Sequence, residues 1–446
     1  MAHAWDRRAA TPAVQPRNDP SIGWLWLTLV VSALLLLGAI AWATPWSPWP
    51  GSAALHSDPA RDFTPAQIAA ADRLHDALRP PTYLGLAAGV LVALALVLTP
   101  VGARITRACA GAFRRLSLQV AAGTAAISLV VVLVALPFAG WRHVVLVRYG
   151  LSTQSWGGWL LDVAKSWCLT TLLSALALVV LTGLARRLPR WWFVPAAAGA
   201  AACVVAGSFL FPVLVEPVFN SFHSMRAEPL RTSLLDLARR DGVDVDDVLV
   251  ADASRRTTTL NAYVSGFGTT RRIVVYDTLL AGAKPTEVRL VVAHELGHAK
   301  ANDVAVKTAV GALGAGLGVV ALALALRSPR LLRRCGVRSA ADPAVAAPVL
   351  ALYLLASVLS LPVQNVVSRQ VEARADVHAL DLTEDPSTFV DVQRRLAVTN
   401  RTDLTRATLS YVWFASHPSP PQRIAIARRW AHENDRSAPA PRTPTP

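Results

Sequence analysis

The chain is poor in cysteine: its 446 residues include four, which are Cys109, Cys168, Cys203 and Cys335. No two of them form a C-x-x-C pair, and Cys168 and Cys203 lie inside apolar runs. This pattern excludes a disulfide framework and a thiolate metal site, so we interpret the four cysteines as small core residues. The sequence also has no internal repeat, which argues against a solenoid, a propeller or another repeat architecture.

Acidic residues are scarce as well, with 29 Asp and Glu against 44 Lys and Arg, and the formal net charge is +15. A basic chain can bind nucleic acid, but here the Arg residues cluster beside apolar runs. That arrangement is typical of the loops that orient a membrane protein. We therefore expect a lipid bilayer as a partner and no nucleic acid.

Hydrophobic residues make up 53% of the chain, and the mean hydropathy of +0.39 is too high for an ordinary soluble enzyme. The excess lies in runs long enough, or nearly so, to cross a hydrocarbon core of about 30 Å. Seven spans are predicted, at Ile22–Ala43, Thr82–Thr99, Ser117–Ala139, Val163–Ala185, Trp191–Val215, Val304–Leu326 and Pro343–Val366. The first could be a signal peptide because Ala41-Trp42-Ala43 resembles a cleavage site, but its apolar run is longer than usual, which favours an uncleaved span.

The spans divide the chain into six regions. We predict a disordered tail at 1–20, five spans within 21–215, a catalytic insertion at 216–303, two spans within 304–366, C-terminal catalytic helices at 367–432 and a disordered tail at 433–446. In the insertion, Thr257–Val264 and Arg271–Tyr276 read as strands, and Gly266-Phe267-Gly268 predicts a hairpin turn between them. The first of these strands would be an exposed edge that can bind an added peptide strand.

Arginine is concentrated in the loops that seven spans place on the side of the N-terminus. These residues are Arg104, Arg107, Arg114, Arg115, Arg186, Arg187, Arg190, Arg327, Arg330, Arg333, Arg334 and Arg338. Positively charged loops stay in the cytoplasm. The charge pattern therefore predicts that the catalytic insertion and the C-terminus lie outside the cytoplasm.

One motif carries most of the chemistry: His294-Glu295-Leu296-Gly297-His298 spells H-E-x-x-H. Two His four residues apart share one helical face and can bind the same ion, and Glu295 can take a proton from a water that the metal activates. With 10 His in 446 residues, composition alone gives about 0.004 such matches per chain. The motif therefore predicts one Zn²⁺ ion and a zincin-like catalytic region.

A third zinc ligand is expected just after the last span, where Glu372 begins a polar helix. Glu372 gives a His₂Glu site, and Asp376 lies four residues on, on the same face, where it can accept the second ring N–H of a ligating His. His378 is six residues from Glu372 and faces elsewhere, so we exclude it. His417 lies beside a Pro-rich turn, which favours a surface His over a group that donates to an oxyanion.

Five motifs together resemble the integral-membrane zinc metalloproteases of the CAAX prenyl protease type, with their bacterial heat-shock membrane protease relatives. The likeness covers roughly 191–430 and rests on Glu216-Pro217-Val218-Phe219-Asn220, Leu260-Asn261-Ala262-Tyr263, the H-E-x-x-H motif, Arg369 with Glu372 and Asp376, and His417-Pro418-Ser419-Pro420 with Arg423. The resemblance implies zinc on His294, His298 and Glu372, substrate contact at Asn261 and Arg423, and help in the transition state from His417 and Arg423. It also implies a cytosolic site, against the charge pattern.

The expected fold is an all-α polytopic membrane protein with about seven transmembrane helices and a small β-hairpin in its catalytic region. The expected function is that of a zinc metalloendopeptidase acting on a peptide or membrane-protein substrate, with Glu295 as general base. A non-catalytic membrane sensor or scaffold is the alternative, although the intact Glu295 argues against it. A metal transporter is a further rival, but the spans lack the carboxylates and His it would need, apart from Asp162 and Lys165 at one margin.

Overall fold

A computed structural model describes residues 20–48, 57–226, 228–266 and 271–441. Within these ranges the fold is predominantly α-helical, as predicted. The helices are α1 Pro20–Ala43, α2 Pro65–Leu98, α3 Val101–Ala110, α4 Leu116–Arg148, α5 Trp156–Arg187, α6 Phe193–Leu210, α7 Glu216–Phe219, α8 Pro229–Asp241, α9 Asp277–Gly282, α10 Pro285–Lys300, α11 Asp303–Ala325, α12 Pro329–Cys335, α13 Ala346–Thr383, α14 Pro386–Thr399, α15 Thr408–Phe414 and α16 Pro420–Glu433. The predicted N-terminal tail lies almost entirely outside the described residues.

Seven of the helical segments in the described ranges are long and apolar enough to cross a membrane, which confirms the predicted number. Their bounds are Ile22–Ala43, Pro65–Leu98, Leu116–Arg148, Trp156–Arg187, Phe193–Phe219, Asp303–Ala325 and Pro343–Thr383. Large apolar side chains on them point outward, for example Leu91 and Leu172, each 66% exposed. Such surfaces suit a hydrocarbon environment.

Two of these helices extend far beyond the predicted spans. Helix α2 begins at Pro65 and runs through Pro80 and Pro81 without a break, whereas the sequence reading began the span only after that pair. Proline usually ends or kinks a helix, which is why the first half of α2 was missed. Helix α13 has 38 residues, which makes it about 57 Å long. It therefore carries Glu372 and Asp376 well beyond a single span.

The interpretation of the cysteines as core residues is wrong for three of them. Cys109, Cys168 and Cys203 are exposed, Cys335 is buried, and all four are free thiols. In a soluble protein an apolar run implies burial, but a membrane helix turns much of its apolar surface toward lipid.

The three arginine-bearing connections, 99–115, 186–192 and 326–345, form what we call the arginine-rich end of the bundle. Here α3, α12 and the 3₁₀ turn Pro343–Val345 pack together. The Arg107 guanidinium donates to the Gly336 carbonyl at 2.6 Å, and Arg327 donates to the Arg190 carbonyl at 2.6 Å. These contacts tie the loops to one another through backbone carbonyls.

A four-stranded sheet lies beyond the fifth span, in the order β1 (Phe222–Ser224), β2 (Asp247–Ala251), β4 (Arg272–Tyr276), β3 (Ala262–Ser265). Strands β3 and β4 form the antiparallel pair of the predicted hairpin, whose turn residues Phe267 and Gly268 lie outside the described residues, while β2 pairs with β4 in parallel. Strand β3 occupies a sheet edge, as expected, but it begins at Ala262 rather than Thr257, and none of its four residues is exposed. The residues before β3 hydrogen-bond to the turn that follows α4 instead of to the sheet. The Thr257 and Thr258 hydroxyls donate to the carbonyls of Leu151 and Gly150.

One face of this sheet packs on α8 and α10, and α13, α14 and α16 close the same apolar core. Fully buried side chains from these elements include Leu234, Leu296, Leu380, Phe389 and Ile424. We call this part, from Glu216 to Lys300 with the helices after residue 366, the catalytic end. Helix α13 connects it to the arginine-rich end.

Candidate metal centre

Helix α10 presents the two histidines of the H-E-x-x-H motif side by side. It begins at Pro285, where a missing N–H costs nothing, and it buries Val292, Ala293 and Leu296 in the core. His294 and His298 are one turn apart, and their Nε2 atoms are 3.3 Å from each other. The packing of α10 thus places both imidazole rings on the same side of the helix.

Glu372 of α13 reaches the same point from the opposite side. Its Oε2 lies 3.2 Å from His294 Nε2 and 3.6 Å from His298 Nε2, and the side chain is 8% exposed. Tetrahedral ligands at about 2.0–2.1 Å from a zinc ion are themselves about 3.3–3.4 Å apart. The three atoms therefore have the spacing of a zinc ligand set, and one tetrahedral position is left for water or substrate.

Each of the two histidines contacts, through its Nδ1, a carboxylate that is itself paired with an arginine. His294 Nδ1 is 2.9 Å from Asp376 Oδ1, and the Arg423 Nε donates to the other Asp376 oxygen at 2.8 Å. Asp376 is fully buried, and it lies where the sequence reading expected a partner for a ligating His. Arg423, expected to contact substrate, directs its guanidinium to Asp376 and comes within 3.4 Å of His294 Nδ1.

The equivalent partner of His298 was missed by the sequence reading. His298 Nδ1 is 2.8 Å from Asp303 Oδ2, and Arg374 donates to the other oxygen of Asp303. Asp303 opens α11 five residues after His298, with Asn302 in the left-handed region at φ 54°. The sequence signal for this partner is an acidic residue just past the H-E-x-x-H motif, at the start of the sixth span.

The charges around the three ligand atoms favour a cation. Burial lowers the pKa of His294, but the hydrogen bonds of Asp376 and Glu372 outweigh burial and raise this pKa to about 10. Burial also raises the pKa of Glu295, while the neighbouring His294 and His298 oppose that rise. A pocket that stabilises an imidazolium so strongly would stabilise a divalent metal ion in its place.

His417 lies at the site and not on a remote surface. Its Nε2 is 3.3 Å from Glu372 Oε2, and its Nδ1 is 2.9 Å from the Ser416 hydroxyl. His417 is thus a surface residue, as its Pro-rich surroundings favoured, with a side chain that is 56% exposed, but it lies beside the candidate ligands. Asn261 directly precedes β3, is exposed, and pairs through its carbonyl with the Tyr276 N–H at 3.1 Å.

His378 faces away from the ligand set, as its position on the helix predicted. Its Nε2 is 2.9 Å from Asp241 Oδ2, and Lys300 donates to the other oxygen of Asp241 at 2.7 Å. The ring lies against Gly297, where an added Cβ would be 3.0 Å from its Cδ2. The motif glycine thus provides room for a packing contact behind the metal face.

Comparisons with known proteins match this chain to peptidase family M48 and to CAAX prenyl proteases. Residues 224–431 match the model of peptidase family M48, and residues 84–221 match the model described as CAAX prenyl protease N-terminal, five membrane helices. The chain is 28% identical to the uncharacterized metalloprotease YhfN of Bacillus subtilis, over 84% of this chain and 88% of the relative. It is 26% identical to CAAX prenyl protease 1 of Saccharomyces cerevisiae, over 66% and 68%. The crystal structure of S. mikatae Ste24p has a similar fold, with a TM-score of 0.74, 19% identity, and coverage of 91% of this chain and 99% of that one.

Proposed function

This chain is a multi-pass membrane metalloprotease of the peptidase M48 family, and on that premise we propose that it is an endopeptidase that uses one zinc ion. The observation that carries the proposal is the set of three ligand atoms, from His294, His298 and Glu372, which lie within 4.8 Å of one another. Their spacing, burial and negative surroundings all suit zinc. The two Asp–Arg pairs behind the histidines would fix the ring orientations and leave each Nε2 free to bind.

Glu295 is the proposed general base. A zinc ion in the site would lower the pKa of a bound water toward roughly 7 and polarise the peptide carbonyl. Glu295 follows His294 on the same helix turn, and the burial that raises its pKa brings its carboxylate closer to the strength a general base needs at neutral pH. Glu295 would accept the proton of the attacking water and pass it to the leaving amine.

His417 is proposed to act on the substrate. Its Nε2 lies 3.3 Å from Glu372 Oε2, which supports a role for its imidazole beside the fourth zinc position. From there it would donate to the oxyanion that forms as the peptide carbonyl is attacked. Asn261 is proposed to contact the peptide, and Arg423 to act through Asp376 by holding His294 in place.

The catalytic unit is proposed to combine the insertion 216–303 with the helices of 367–432. Helix α10 supplies two ligands, α13 the third, and the loop before α16 supplies His417. The peptide substrate would lie along the free edge of β3, which packs over α10. We also propose, from the arginine-rich end, that this unit faces away from the cytoplasm.

The test is metal dependence of cleavage by the purified full-length protein in detergent. Zinc content is measured before and after treatment with a chelator, with reduced β-casein as the unstructured substrate. The proposal expects about one zinc per chain, loss of cleavage with loss of zinc, and recovery on adding zinc back. Cleavage that persists after the metal is gone would contradict it, and so would a zinc-loaded chain that cuts neither casein nor peptides.

A further inference from the structure

Four polar side chains of α13 lie in one row along the helix. Asn365, Arg369, Glu372 and Asp376 follow one another at intervals of four, three and four residues, which is the spacing of a single helical face. Glu372 and Asp376 belong to the metal centre described above. The same face therefore continues beyond the metal centre with two polar residues that have no role there.

These two side chains hold the end of α15. Arg369 Nη1 donates to the Tyr411 carbonyl at 3.2 Å and to the Ala415 carbonyl at 2.6 Å, and its guanidinium carbon lies 4.5 Å from the centre of the Tyr411 ring. Asn365 Nδ2 donates to the Trp413 carbonyl at 2.6 Å. The last carbonyls of a helix lack partners within the helix, and positive charge is favourable beside them. Helix α13 thus caps α15 with its own side chains.

Helix α15 depends on this support because it has little packing of its own. It has seven residues, and a helix this short is marginal without tertiary contacts. No side chain of α15, which lies wholly within the described part of the chain, is buried, and Leu409 is 73% exposed. The hydrogen bonds from α13 therefore decide where the end of α15 lies.

His417 lies in the short connection between α15 and α16. At the far end of this connection, the Ser419 N–H donates to Gln422 Oε1 at 2.8 Å, and the Tyr411 hydroxyl donates to the same oxygen at 2.7 Å. The His417 side chain is 56% exposed, so packing around the ring does little to keep it 3.3 Å from Glu372. Its position depends on how the two ends of the connection are held.

We propose that Arg369 and Asn365 are positioning residues that hold the imidazole of His417 beside the fourth zinc position. Both share one helical face with Glu372, so α13 sets the place of the third ligand and of His417 together. A displacement of about 1 Å at a reacting group can cost about 10²-fold in rate. This proposal rests on the role proposed above for His417 in peptide cleavage, and it states which residues make that role possible.

The experiment is a double-mutant cycle between Arg369 and His417. The zinc-loaded full-length protein in detergent is used, and kcat and KM are measured on reduced β-casein. Arg369→Ala should lower kcat by about 10- to 100-fold and leave KM within about 2-fold of the wild type. In the His417→Ala background the same substitution should cost less than about 2-fold, because the group that Arg369 positions is already gone. Asn365→Ala should show the same dependence on His417.

Two further variants and one measurement without turnover complete the design. Arg369→Lys keeps a charged donor for the Ala415 carbonyl, so its kcat should lie between those of Arg369→Ala and the wild type. Gln364→Ala removes an exposed amide next to Asn365 on α13 and should match the wild type. Hydrogen–deuterium exchange of the amides of residues 411–417 should be faster in Arg369→Ala, whereas exchange in α10 should not change.

Several results would overturn the proposal. One is a loss of kcat in Arg369→Ala that is as large in the His417→Ala background as in the wild type, since that loss would not pass through His417. Others are zinc lost from Arg369→Ala, unchanged exchange of 411–417, or a His417→Ala variant as fast as the wild type. Failure of the peptidase function would look different: the zinc-loaded wild type would not cleave β-casein, while the exchange experiment would still report whether Arg369 holds the connection.

Discussion

At the catalytic end, charged side chains around the three ligand atoms face opposite charges at close range: Asp376 faces Arg423, and Asp303 faces Arg374. At the arginine-rich end, twelve of the 44 Lys and Arg residues occupy three loops that hold one of the 29 acidic residues, Asp342. There Arg107 and Arg338 both pair with Asp342, and the remaining guanidinium groups have no second carboxylate within these loops.

The difference shows two uses of charge in one chain. Breaking a buried pair leaves an uncompensated charge, at a cost of about 3–5 kcal/mol, whereas an exposed pair contributes about 0–1 kcal/mol. We infer that the paired charges of the catalytic end hold the geometry of the metal site. We infer that the excess of positive charge at the arginine-rich end contributes mainly to orientation in the membrane.

The strongest test of this contrast is the side of the membrane that each end occupies. Cys109 on α3 is an exposed native thiol at the arginine-rich end. If that end is cytoplasmic, a membrane-impermeant maleimide should label Cys109 only after cells are permeabilised. The control is a chain whose only cysteine replaces Arg239, a 75% exposed side chain at the catalytic end, which should be labelled in intact cells. The reverse labelling would place the site in the cytoplasm and show that the charge argument fails here.

Removing a metal ligand should have the next largest effect. His298→Ala and Glu372→Ala each delete one of the three proposed ligands, so most of the zinc and all measurable cleavage should be lost. The matched control is His378→Ala, which removes an imidazole from the opposite side of α10 and should leave zinc content unchanged. Metal analysis of the purified variants checks both, and full zinc occupancy in Glu372→Ala would remove that residue from the site.

The carboxylates behind the histidines should have a smaller effect. Asp376→Ala leaves all three ligand atoms in place but frees the ring of His294, so zinc affinity should fall by about 10- to 100-fold. Asp303→Ala should do the same through His298. Competition with a zinc chelator of known affinity measures both. If either substitution leaves zinc affinity unchanged, that carboxylate serves packing alone.

The smallest effect is expected at the arginine-rich end. Arg333 is exposed and has no ion pair with any described residue. Arg333→Ala should therefore change stability by no more than about 0.5 kcal/mol and leave zinc content and cleavage as in the wild type. Thermal unfolding in detergent measures this. A large loss of stability would mean that this end, too, depends on its charges for folding.

Much of the fold was readable because its signals are local. Runs of apolar residues predicted the seven spans, Gly266-Phe267-Gly268 between two strand-like runs predicted the hairpin, and the spacing of His294 and His298 placed both on one face of a helix. Glu372 lies 78 positions from His294, yet a polar helix after the last span marked it. Each of these depends on a pattern within a few residues.

What the sequence did not reveal depends on contacts between distant segments. Arg374 reaches Asp303 across 71 positions, and Asn400 reaches Leu260 across 140. No periodicity encodes such pairs, because Asp303, Arg374 and Asn400 each look, alone, like a solvated polar residue, and the partner of Asn400 is a backbone group. The passage of α2 through Pro80 and Pro81 is similar, since packing of the helix overrides a local preference.

The central claim is that this site hydrolyses peptides with Glu295 as the base, and one substitution tests it most directly. Glu295→Gln is nearly isosteric and leaves His294, His298 and Glu372 untouched, but the amide cannot accept the proton. The variant should therefore hold about one zinc per chain, unfold at the wild-type temperature, and cleave β-casein at least about 10²-fold more slowly. Zinc-loaded Glu295→Gln that cleaves at a rate close to the wild type would contradict the mechanism.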